Sequence, residues 1–442
     1  MAAIEDLLLL LERDLTSPEL QRMLGVSQPT VSRLLQRAGN RVARIGRGRA
    51  TRYAAARRLF GADWSVPLHA VDKGGVVRRI ATLRALADGR TLVDGGAHAP
   101  PWLLGDSGVG LYSSLPYFIA DLRPSGFLGR QLGRRLAAEW GTAPDPREWT
   151  DDDLGRFLLQ RADDLPGNLL LGDAAAARVS RRQPATVVRD RRAEYPLLAL
   201  RALDDDAPGS SAAGEQAKFA IEHVMTGPVI VKFSPAAMTA DAQRWRDLLR
   251  AEDHALRLLR EHGLPAAETS MHSLEERVFL ESRRFDRLAG GGRVGAISLT
   301  MIDAEFVGAG HGWTSVARGL RARGLIDERT LEHLLWLELF GEWIGNTDMH
   351  LGNVSLSPRP DGFELLPLYD MLPMALAPVR GELPAAAPRT PPRTAERDAA
   401  WAAAGAAATT YWLRLADDPA LSDGFCALAR DHGARLRQLL GG

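Results

Sequence analysis

A polar stretch at residues 345–353, Gly-Asn-Thr-Asp-Met-His-Leu-Gly-Asn, constrains the fold of this chain more than any other feature. It follows an apolar-periodic segment at about 329–344, which predicts a helix, and precedes the alternating run 354–357, which predicts a strand. A rigid scaffold often presents catalytic groups on a loop of this kind. The stretch is therefore predicted to be a helix-to-strand loop that carries functional side chains.

Asp348 and Asn353 lie five residues apart within this loop. Enzymes of the protein-kinase kind use that spacing, because the aspartate accepts the proton of the substrate hydroxyl and the asparagine holds a magnesium ion. Asp370 ends an apolar run at 363–370 that predicts a strand, and its position suits a hairpin that returns a second oxygen ligand to the same Mg²⁺. Asn, Asp and Gly are also ordinary turn residues, so the loop alone is equally compatible with a structural turn.

Lysine is rare in this chain, since only three of the 55 basic residues are lysines. Lys232 interrupts a β-branched run at 228–233 that predicts a buried strand, and an unpaired buried ammonium is costly, so an anion should face it. In kinases a strand lysine contacts the nucleotide phosphates and a helix glutamate. The following helix, predicted at about 241–262, offers Glu252 or Glu261 as that partner.

A second lysine, Lys218, follows a loop at 201–214 that is first acidic and then rich in small residues. Small residues let backbone amides approach phosphate oxygens, and the lysine adds a charge. The loop is not a Walker A motif, because Glu215 stands where that motif needs lysine. A flexible linker is the alternative interpretation.

Residues 1–60 are predicted to form a winged helix-turn-helix, with helices at about 3–14, 17–25 and 28–37 and a hairpin wing at 41–53. This segment carries eleven arginines and five acidic residues, a net charge of +6 in a chain whose formal net charge is zero. The third helix presents polar residues for the major groove and the wing presents arginines for phosphates. The residues predicted to bind DNA are Gln28, Thr30, Ser32, Arg33, Arg47 and Arg49. A winged helix for dimerisation or protein binding, or a vestigial one, is the alternative.

The remaining sequence bounds the class of protein. A chain of 442 residues is too long for one core and predicts two to four domains. A single cysteine, Cys426, excludes intrachain disulfides and cysteine-based zinc sites and fits a reducing cytoplasm. No apolar run reaches membrane-spanning length.

Residues 61–200 are predicted to be mixed α/β, with helices at 126–140 and 150–160 and a loop at 163–172. A glycine-rich loop at 105–110 is not a dinucleotide fingerprint. The stretch 383–396 predicts a mobile loop, and about 397–440 predicts helix.

Taken together, the motifs resemble the HipA family of bacterial serine/threonine kinase toxins over roughly residues 65–440. The residues that carry the resemblance are the segments 211–218 (Ser-Ala-Ala-Gly-Glu-Gln-Ala-Lys), 231–232 (Val-Lys), 284–287 (Arg-Phe-Asp-Arg), 345–353 and 369–370 (Tyr-Asp). In most HipA proteins DNA binding comes from a separate antitoxin. A subgroup with a helix-turn-helix in the same chain, the YjjJ (HipH) proteins, is similar to this sequence.

The resemblance implies ATP and Mg²⁺ as cofactors and a role for each matching residue. Asp348 would be the catalytic base, with His350 beside it, and Asn353 and Asp370 would bind the metal. Lys232 would hold the α- and β-phosphates, and the 211–218 loop, including Gly214 and Lys218, would lie near the γ-phosphate. Ser211 matches a serine that family members autophosphorylate, although Ser210 is adjacent. Phe285 matches a hinge phenylalanine, but Arg283 replaces the hinge glutamate, and Glu281 lies two positions too early unless the strand has a bulge.

The predicted fold is therefore α+β: a winged helix-turn-helix at 1–60, a HipA-like α/β subdomain at 61–200, part of a kinase N-lobe at 201–290 and a mainly α-helical C-lobe at 291–442. The predicted function is protein phosphorylation by a toxin that binds DNA through its own head. Two alternatives stay open, a small-molecule kinase of the aminoglycoside or choline kinase type and a DNA-binding regulator or metal-dependent DNA-acting toxin with a kinase-like body. A separate antitoxin and a second copy of the chain are the other partners left open, and the protein substrate is unknown.

Overall fold

A computed structural model describes residues 4–61, 63–181, 187–204, 216–385, 388–395 and 397–441, and omits the side chains of Arg49 and Asp204. Three helices and an antiparallel hairpin form the N-terminal region. Its elements are α1 (Ile4–Leu10), β1 (Leu15–Thr16), α2 (Ser17–Leu24), α3 (Gln28–Ala38), β2 (Val42–Ile45) and β3 (Arg52–Arg57). Thr16 and Glu19 form a capping box that starts α2, and Gly25 ends this helix in the left-handed conformation.

The next region is a mixed α/β layer. Its elements are β4 (Val66–Val71), β5 (Val77–Leu86), β6 (Thr91–Asp94), α4 (Pro101–Leu104), β7 (Leu111–Tyr112), α5 (Tyr117–Ala120), α6 (Gly126–Trp140), α7 (Asp151–Gln160), β8 (Leu169–Leu171) and α8 (Asp173–Ser180). Strands β1 to β8 make one sheet, because β3 pairs with β1 and β2 on one side of the junction and with β5 on the other. The N-terminal region and the α/β layer therefore share a sheet.

A five-stranded sheet forms the next layer. Its elements are β9 (Val187–Val188), α9 (Arg191–Asp204), β10 (Lys218–His223), β11 (Gly227–Phe233), α10 (Ala240–Glu261), β12 (Thr269–Leu274) and β13 (Arg277–Arg283). The strands lie in the order β12-β13-β11-β10-β9. Helix α9 packs through Tyr195 on the face that carries Val231, and α10 packs through Leu249 on the face that carries Leu280. Phe127 of α6 joins α9 on its face, so helices cover the sheet on both sides.

The C-terminal region is mainly helical. Its elements are β14 (Ile297–Ser298), α11 (Leu299–Phe306), α12 (Trp313–Ala322), α13 (Glu328–Ile344), β15 (Ser355–Arg359), β16 (Gly362–Leu365), α14 (Asp398–Ala416) and α15 (Asp423–Gly441). Helix α13 is buried through Leu337, Phe340 and Trp343 in the largest apolar core, which also extends into the α/β layer. Among the described helices, none combines the length and the apolar character that a membrane crossing requires.

Most elements predicted from periodicity are confirmed, including the helices at 126–140, 150–160, 241–262 and 329–344. Three predictions were wrong in part. The first helix ends at Leu10 rather than at residue 14, and the apolar run before Asp370 is a strand only to Leu365. The predicted loop at 163–172 contains strand β8, because three buried leucines there pair with β4. The predicted mobile loop at 383–396 falls partly outside the described residues.

Candidate active site

Two of the three lysines lie opposite each other in the five-stranded sheet. Lys218 on β10 and Lys232 on β11 are direct partners in an antiparallel register, so both side chains point to the same face. Helix α10 covers that face. The lysines that sequence reasoning singled out are thus brought together by strand pairing.

Lys232 is buried, and its ammonium binds two carboxylates. Its Nζ lies 2.6 Å from both carboxylate oxygens of Glu252 on α10 and also contacts Oδ1 of Asp370. The other candidate partner, Glu261, lies on a different face of the same helix and pairs with Arg414 at the surface. The structure therefore identifies Glu252 as the partner of the strand lysine.

Burial and mutual charge interactions shift the pKa values of all three groups of this triad. Burial lowers the pKa of Lys232, but the adjacent carboxylates of Asp370 and Glu252 outweigh it and raise that pKa. For Asp370 burial raises the pKa, yet the charges of Lys232 and Lys218 dominate and lower it to about 2. Burial also raises the pKa of Glu252. Within the cavity, the carboxylates of Glu252 and Asp370 are balanced in charge by the ammonium groups of Lys218 and Lys232.

The 345–353 stretch forms a loop that packs back on α13. Gly345 ends the helix in the left-handed conformation, with φ of 76°. Gly341 faces the Met349 side chain so closely that a Cβ would collide with its sulfur. The loop therefore leaves the helix at a fixed point and is held against it.

Asn346 ties this loop to Asp370, a role that the sequence reasoning missed. Its Oδ1 accepts a hydrogen bond from the backbone N–H of Asp348 at 3.1 Å, and its Nδ2 donates to the backbone carbonyl of Asp370 at 3.2 Å. The signal in the sequence was that Asn346 is one of only four asparagines in the chain. This buried side chain thus sets the relative position of the two carboxylates.

The other loop side chains flank Asp348. The Asn353 Nδ2 donates to the Asp348 carbonyl at 2.7 Å, which leaves its Oδ1 as the atom that can coordinate a cation. The His350 imidazole lies 4.0 Å from the Asp348 carboxylate, and both side chains are 59% exposed. His350 also accepts a hydrogen bond from the backbone N–H of Gly352 through Nδ1, so its ring is held by the loop.

Asp370 reaches the site through the β15–β16 hairpin. Its backbone has φ of 56°, a left-handed conformation that non-glycine residues adopt rarely. The backbone N–H of Asp370 donates to the Glu252 carboxylate at 3.2 Å, and Tyr369 donates to the Gly352 carbonyl at 3.3 Å. These contacts support the strained position, which places the Asp370 side chain beside Lys232.

A cavity of about 740 Å³ collects these groups. Its walls bring together six of the predicted site residues, namely Lys218, Lys232, Asp348, His350, Asn353 and Asp370. The opposite wall comes from the α/β layer and includes Asp121, Arg123 and Arg147, none of which stood out in the sequence. These residues line the cavity only because distant segments of the chain pack together, and no local sequence motif indicates that packing.

The structure describes only some of the remaining predicted residues. Ser210, Ser211 and Gly214 are outside the described residues. Phe285 stacks on Tyr369 with ring centroids 6.1 Å apart. Of the predicted DNA-binding residues, Gln28, Ser32, Arg33 and Arg47 are exposed and Thr30 is half-buried.

The register between strands β11 and β13 shows where the Glu281 side chain lies relative to Lys232. Strands β11 and β13 pair without a bulge, and Glu281 stands opposite Val231, on the sheet face away from Lys232. The Glu281 carboxylate accepts hydrogen bonds from Arg191 at 2.7 and 2.9 Å and from Thr226 and Tyr195. Burial raises its pKa, but the Arg191 and Tyr195 hydrogen bonds dominate and lower it to about 2. The Glu281 carboxylate is therefore part of a structural hydrogen-bond cluster.

The oxygen donors fit Mg²⁺ as part of a nucleotide complex. Among the described residues no group of three or more His, Cys, Asp or Glu side chains could hold a metal ion. Mg²⁺ in kinase sites needs only one or two protein oxygens, and phosphate and water complete its shell. Asn353 and Asp370, which both line the cavity, would supply such a partial shell.

Comparisons with known proteins show the family to which this chain belongs. The family described as YjjJ-like toxin, middle domain, matches residues 62–180, and the HipA-like C-terminal domain matches residues 210–423. The toxin YjjJ of Escherichia coli (strain K12) is 36% identical over 439 residues, which covers 98% of this chain and 97% of that protein. A chain of the Shewanella oneidensis MR-1 complex of HipA, HipB and its operator DNA has a TM-score of 0.58 at 16% identity, and the match covers 85% of this chain and 97% of that one. The chain therefore belongs to the YjjJ-like toxin family and carries a HipA-like C-terminal domain.

Proposed function

We propose that this protein is a toxin kinase that transfers the γ-phosphate of ATP to a serine or threonine hydroxyl of a protein. The observation that carries the proposal is the Lys232–Glu252 pair, which lies in one cavity with Asp348, Asn353 and Asp370. A strand lysine paired with a helix glutamate beside such a loop is the arrangement of protein kinases. The HipA-like C-terminal domain supports the same reading.

Each residue of the cavity has a role in this proposal. Lys232 and Lys218 would bind phosphate oxygens, and Asn353 and Asp370 would hold Mg²⁺. The bound ion would neutralise the charge that develops on the transferred phosphoryl group. Asp348, exposed on the cavity wall, would accept the proton of the acceptor hydroxyl while that oxygen attacks the γ-phosphorus and ADP leaves.

Asp348 is held for this task by its backbone. Its N–H is bonded to the Asn346 side chain and its carbonyl to the Asn353 side chain, so the carboxylate is oriented without losing exposure. We assign His350 a supporting role, because it lies beside Asp348 and its ring is anchored to Gly352. Positioning of the base relative to phosphate and metal ligands is the main contribution that a kinase site makes.

A protein acceptor is favoured over a cationic small molecule by the charges of the cavity. The walls hold four acidic side chains, Asp121, Glu252, Asp348 and Asp370, and four basic ones, Arg123, Arg147, Lys218 and Lys232. Aminoglycoside and choline kinases need an acidic pocket for their cationic substrates, and this cavity has no acidic excess. Moreover, the Asp121 carboxylate already accepts hydrogen bonds from the backbone and side chain of Ser298.

We further propose that residues 1–60 form a winged helix-turn-helix that binds DNA. Helix α3 exposes Gln28, Ser32 and Arg33, and the hairpin exposes Arg44 and Arg47. Within the described part of the chain, no carboxylate pairs with Arg33, Arg44 or Arg47, so these charges are available to phosphates. The related HipA chain was solved with HipB and its operator DNA, which supports an antitoxin and an operator as partners for this toxin as well.

A DNA-binding regulator whose kinase-like body transfers no phosphate is the competing function. The two are separated by incubating the purified full-length protein with labelled ATP and Mg²⁺ and analysing residues 205–220 by mass spectrometry. The proposal predicts phosphate on Ser210 or Ser211, and a Lys232→Ala variant that neither binds nucleotide nor becomes labelled. Equal nucleotide binding by the wild type and Lys232→Ala, with no phosphate transferred, would favour the regulator.

A further inference from the structure

A second large cleft lies between the N-terminal hairpin and the α/β layer, on elements that the proposed kinase reaction does not use. It encloses about 640 Å³. One side carries Arg44 and Arg47, and the other carries strand β6 and the segments 95–99 and 108–109. Both arginines and Ala97 are exposed, and Val109 is 45% exposed, so the cleft opens to solvent.

The cleft adjoins the proposed DNA-reading surface at Arg44. A separate groove of about 370 Å³ runs beside α3 and is lined by Gln28, Ser32 and Gln36. Arg44 lines both the groove and the cleft. A duplex that contacts the exposed face of α3 and extends past Arg44 would therefore reach the α/β layer.

The two sides of the cleft are rigidly joined. Strand β3 of the hairpin pairs with β5 through Ala56 opposite Leu86 and Arg57 opposite Ala85. A shared apolar cluster joins the strands across the junction; its buried members are Ala43, Ile45, Ala54, Leu86 and Leu92. Asp14 of the N-terminal region also binds Arg52 of the hairpin and Arg90 of the α/β layer. The head is thus held in one orientation, which makes the cleft a fixed surface.

We propose that this cleft is part of the DNA interface and receives a sugar–phosphate strand of the duplex that α3 reads. Two arginines against one exposed carboxylate, Asp94, give the cleft a net positive charge, as a phosphate backbone requires. Half of the lining residues on the side of the α/β layer are glycine or alanine, so the backbone of a nucleic acid can come close there. The YjjJ-type middle domain then extends the DNA contact beyond the head.

This inference rests on the proposed DNA binding by residues 1–60, and one set of full-length variants separates the two. Binding to a random 40-base-pair duplex, and to a 16-base-pair duplex, is measured by fluorescence anisotropy over a series of salt concentrations, and binding of inorganic pyrophosphate is measured in parallel. Ala97→Glu and Val109→Glu place a negative charge in the cleft, and Arg33→Ala removes a charge from α3. Val76→Glu, on an exposed turn of the α/β layer outside the cleft lining, is the matched control.

We expect Ala97→Glu and Val109→Glu to weaken binding of the 40-base-pair duplex about tenfold and to reduce the salt dependence by about one released ion. Val76→Glu should bind as the wild type does. Wild-type affinity in both cleft variants, with loss of affinity in Arg33→Ala, would overturn the inference and leave DNA binding by the head intact. Failure of the wild type to bind either duplex would instead overturn DNA binding as a function. Loss of pyrophosphate binding in the cleft variants with unchanged duplex binding would overturn the inference and reassign the cleft to a small anion.

Discussion

Lys218 and Lys232 stand directly opposite each other on neighbouring strands, so two of the three lysines in the chain line one cavity. Like charges in register destabilise a ladder unless anions separate them. Glu252 and Asp370 serve Lys232 in this way. The pair is therefore best explained as a site prepared for a polyanion, which in the proposed reaction is the phosphate chain of ATP.

Phosphoryl transfer should require a lysine at position 232, and another cationic side chain should not replace it. An arginine guanidinium there would be too broad to satisfy Glu252, Asp370 and phosphate in the same buried space, so Lys232→Arg should lower phosphoryl transfer about 100-fold or more. Initial rates with labelled ATP measure this effect. Lys73→Arg, at the exposed third lysine, is the control and should be as active as the wild type. An active Lys232→Arg enzyme would show that lysine geometry is not needed.

Glu252 should matter for catalysis and Glu261 should not. Both are on α10, but only Glu252 holds the lysine ammonium, whereas Glu261 forms a surface pair with Arg414. Glu252→Gln should reduce phosphoryl transfer by an order of magnitude or more, because Lys232 loses its orientation. Glu261→Gln should change stability by less than about 1 kcal/mol and leave the rate unaltered. Comparable rates in the two variants would contradict the assignment.

Asn346 should act as a positioning residue. Asn346→Ala removes the two hydrogen bonds that hold the backbones of Asp348 and Asp370. We expect kcat to fall by about ten- to 100-fold while the KM for ATP changes little, since the phosphate-binding lysines stay in place. Asn346→Asp should restore part of the rate, because it retains the acceptor for the Asp348 N–H. A large rise in KM with unchanged kcat would refute this role.

The Glu281 cluster should make stability depend on pH in acid. The folded-state pKa of Glu281 is about 2, below the ordinary value of 4.5. Its stabilising contribution is therefore fully present above pH 4.5 and is lost as the pH falls towards 2. Glu281→Gln should cost about 3 kcal/mol in the free energy of unfolding at pH 7, and the difference from the wild type should shrink below pH 4.5.

Denaturant unfolding at several pH values tests the Glu281 prediction. Glu268→Gln is the control, because Glu268 forms an exposed pair with Arg283 and should cost little at any pH. A pH-independent loss of stability in Glu281→Gln would indicate a packing defect rather than the loss of a charge.

Local signals in the sequence were sufficient for much of this site. The long apolar period of α13, its stop at Gly345 and the Asp348–Asn353 spacing are properties of adjacent residues, and the structure keeps them adjacent. Lys232 in an apolar strand required an anion on physical grounds, and the structure supplies two. Strand β8 escaped prediction because its leucines are recognisable as a strand only once β4 is beside them.

The tertiary contacts of the site could not be predicted from the sequence. Glu252 and Glu261 are equally good candidates along the chain, and only the packing of α10 against the sheet separates them. The Arg123 and Arg147 wall comes from a different layer of the fold. The sheet that runs from the N-terminal hairpin into the α/β layer also crosses the domain limit predicted at residue 60, since β3 serves both sides.

The proposal that Asp348 removes the proton of an acceptor hydroxyl is tested with an Asp348→Asn variant. The substitution keeps the shape of the side chain and removes its basicity. The full-length variant is incubated with labelled ATP and Mg²⁺, and its nucleotide affinity and thermal unfolding are measured in parallel. We expect phosphate transfer to fall at least about 100-fold while nucleotide binding and stability match the wild type. Autophosphorylation by the folded, nucleotide-bound variant at the wild-type rate would contradict the claim.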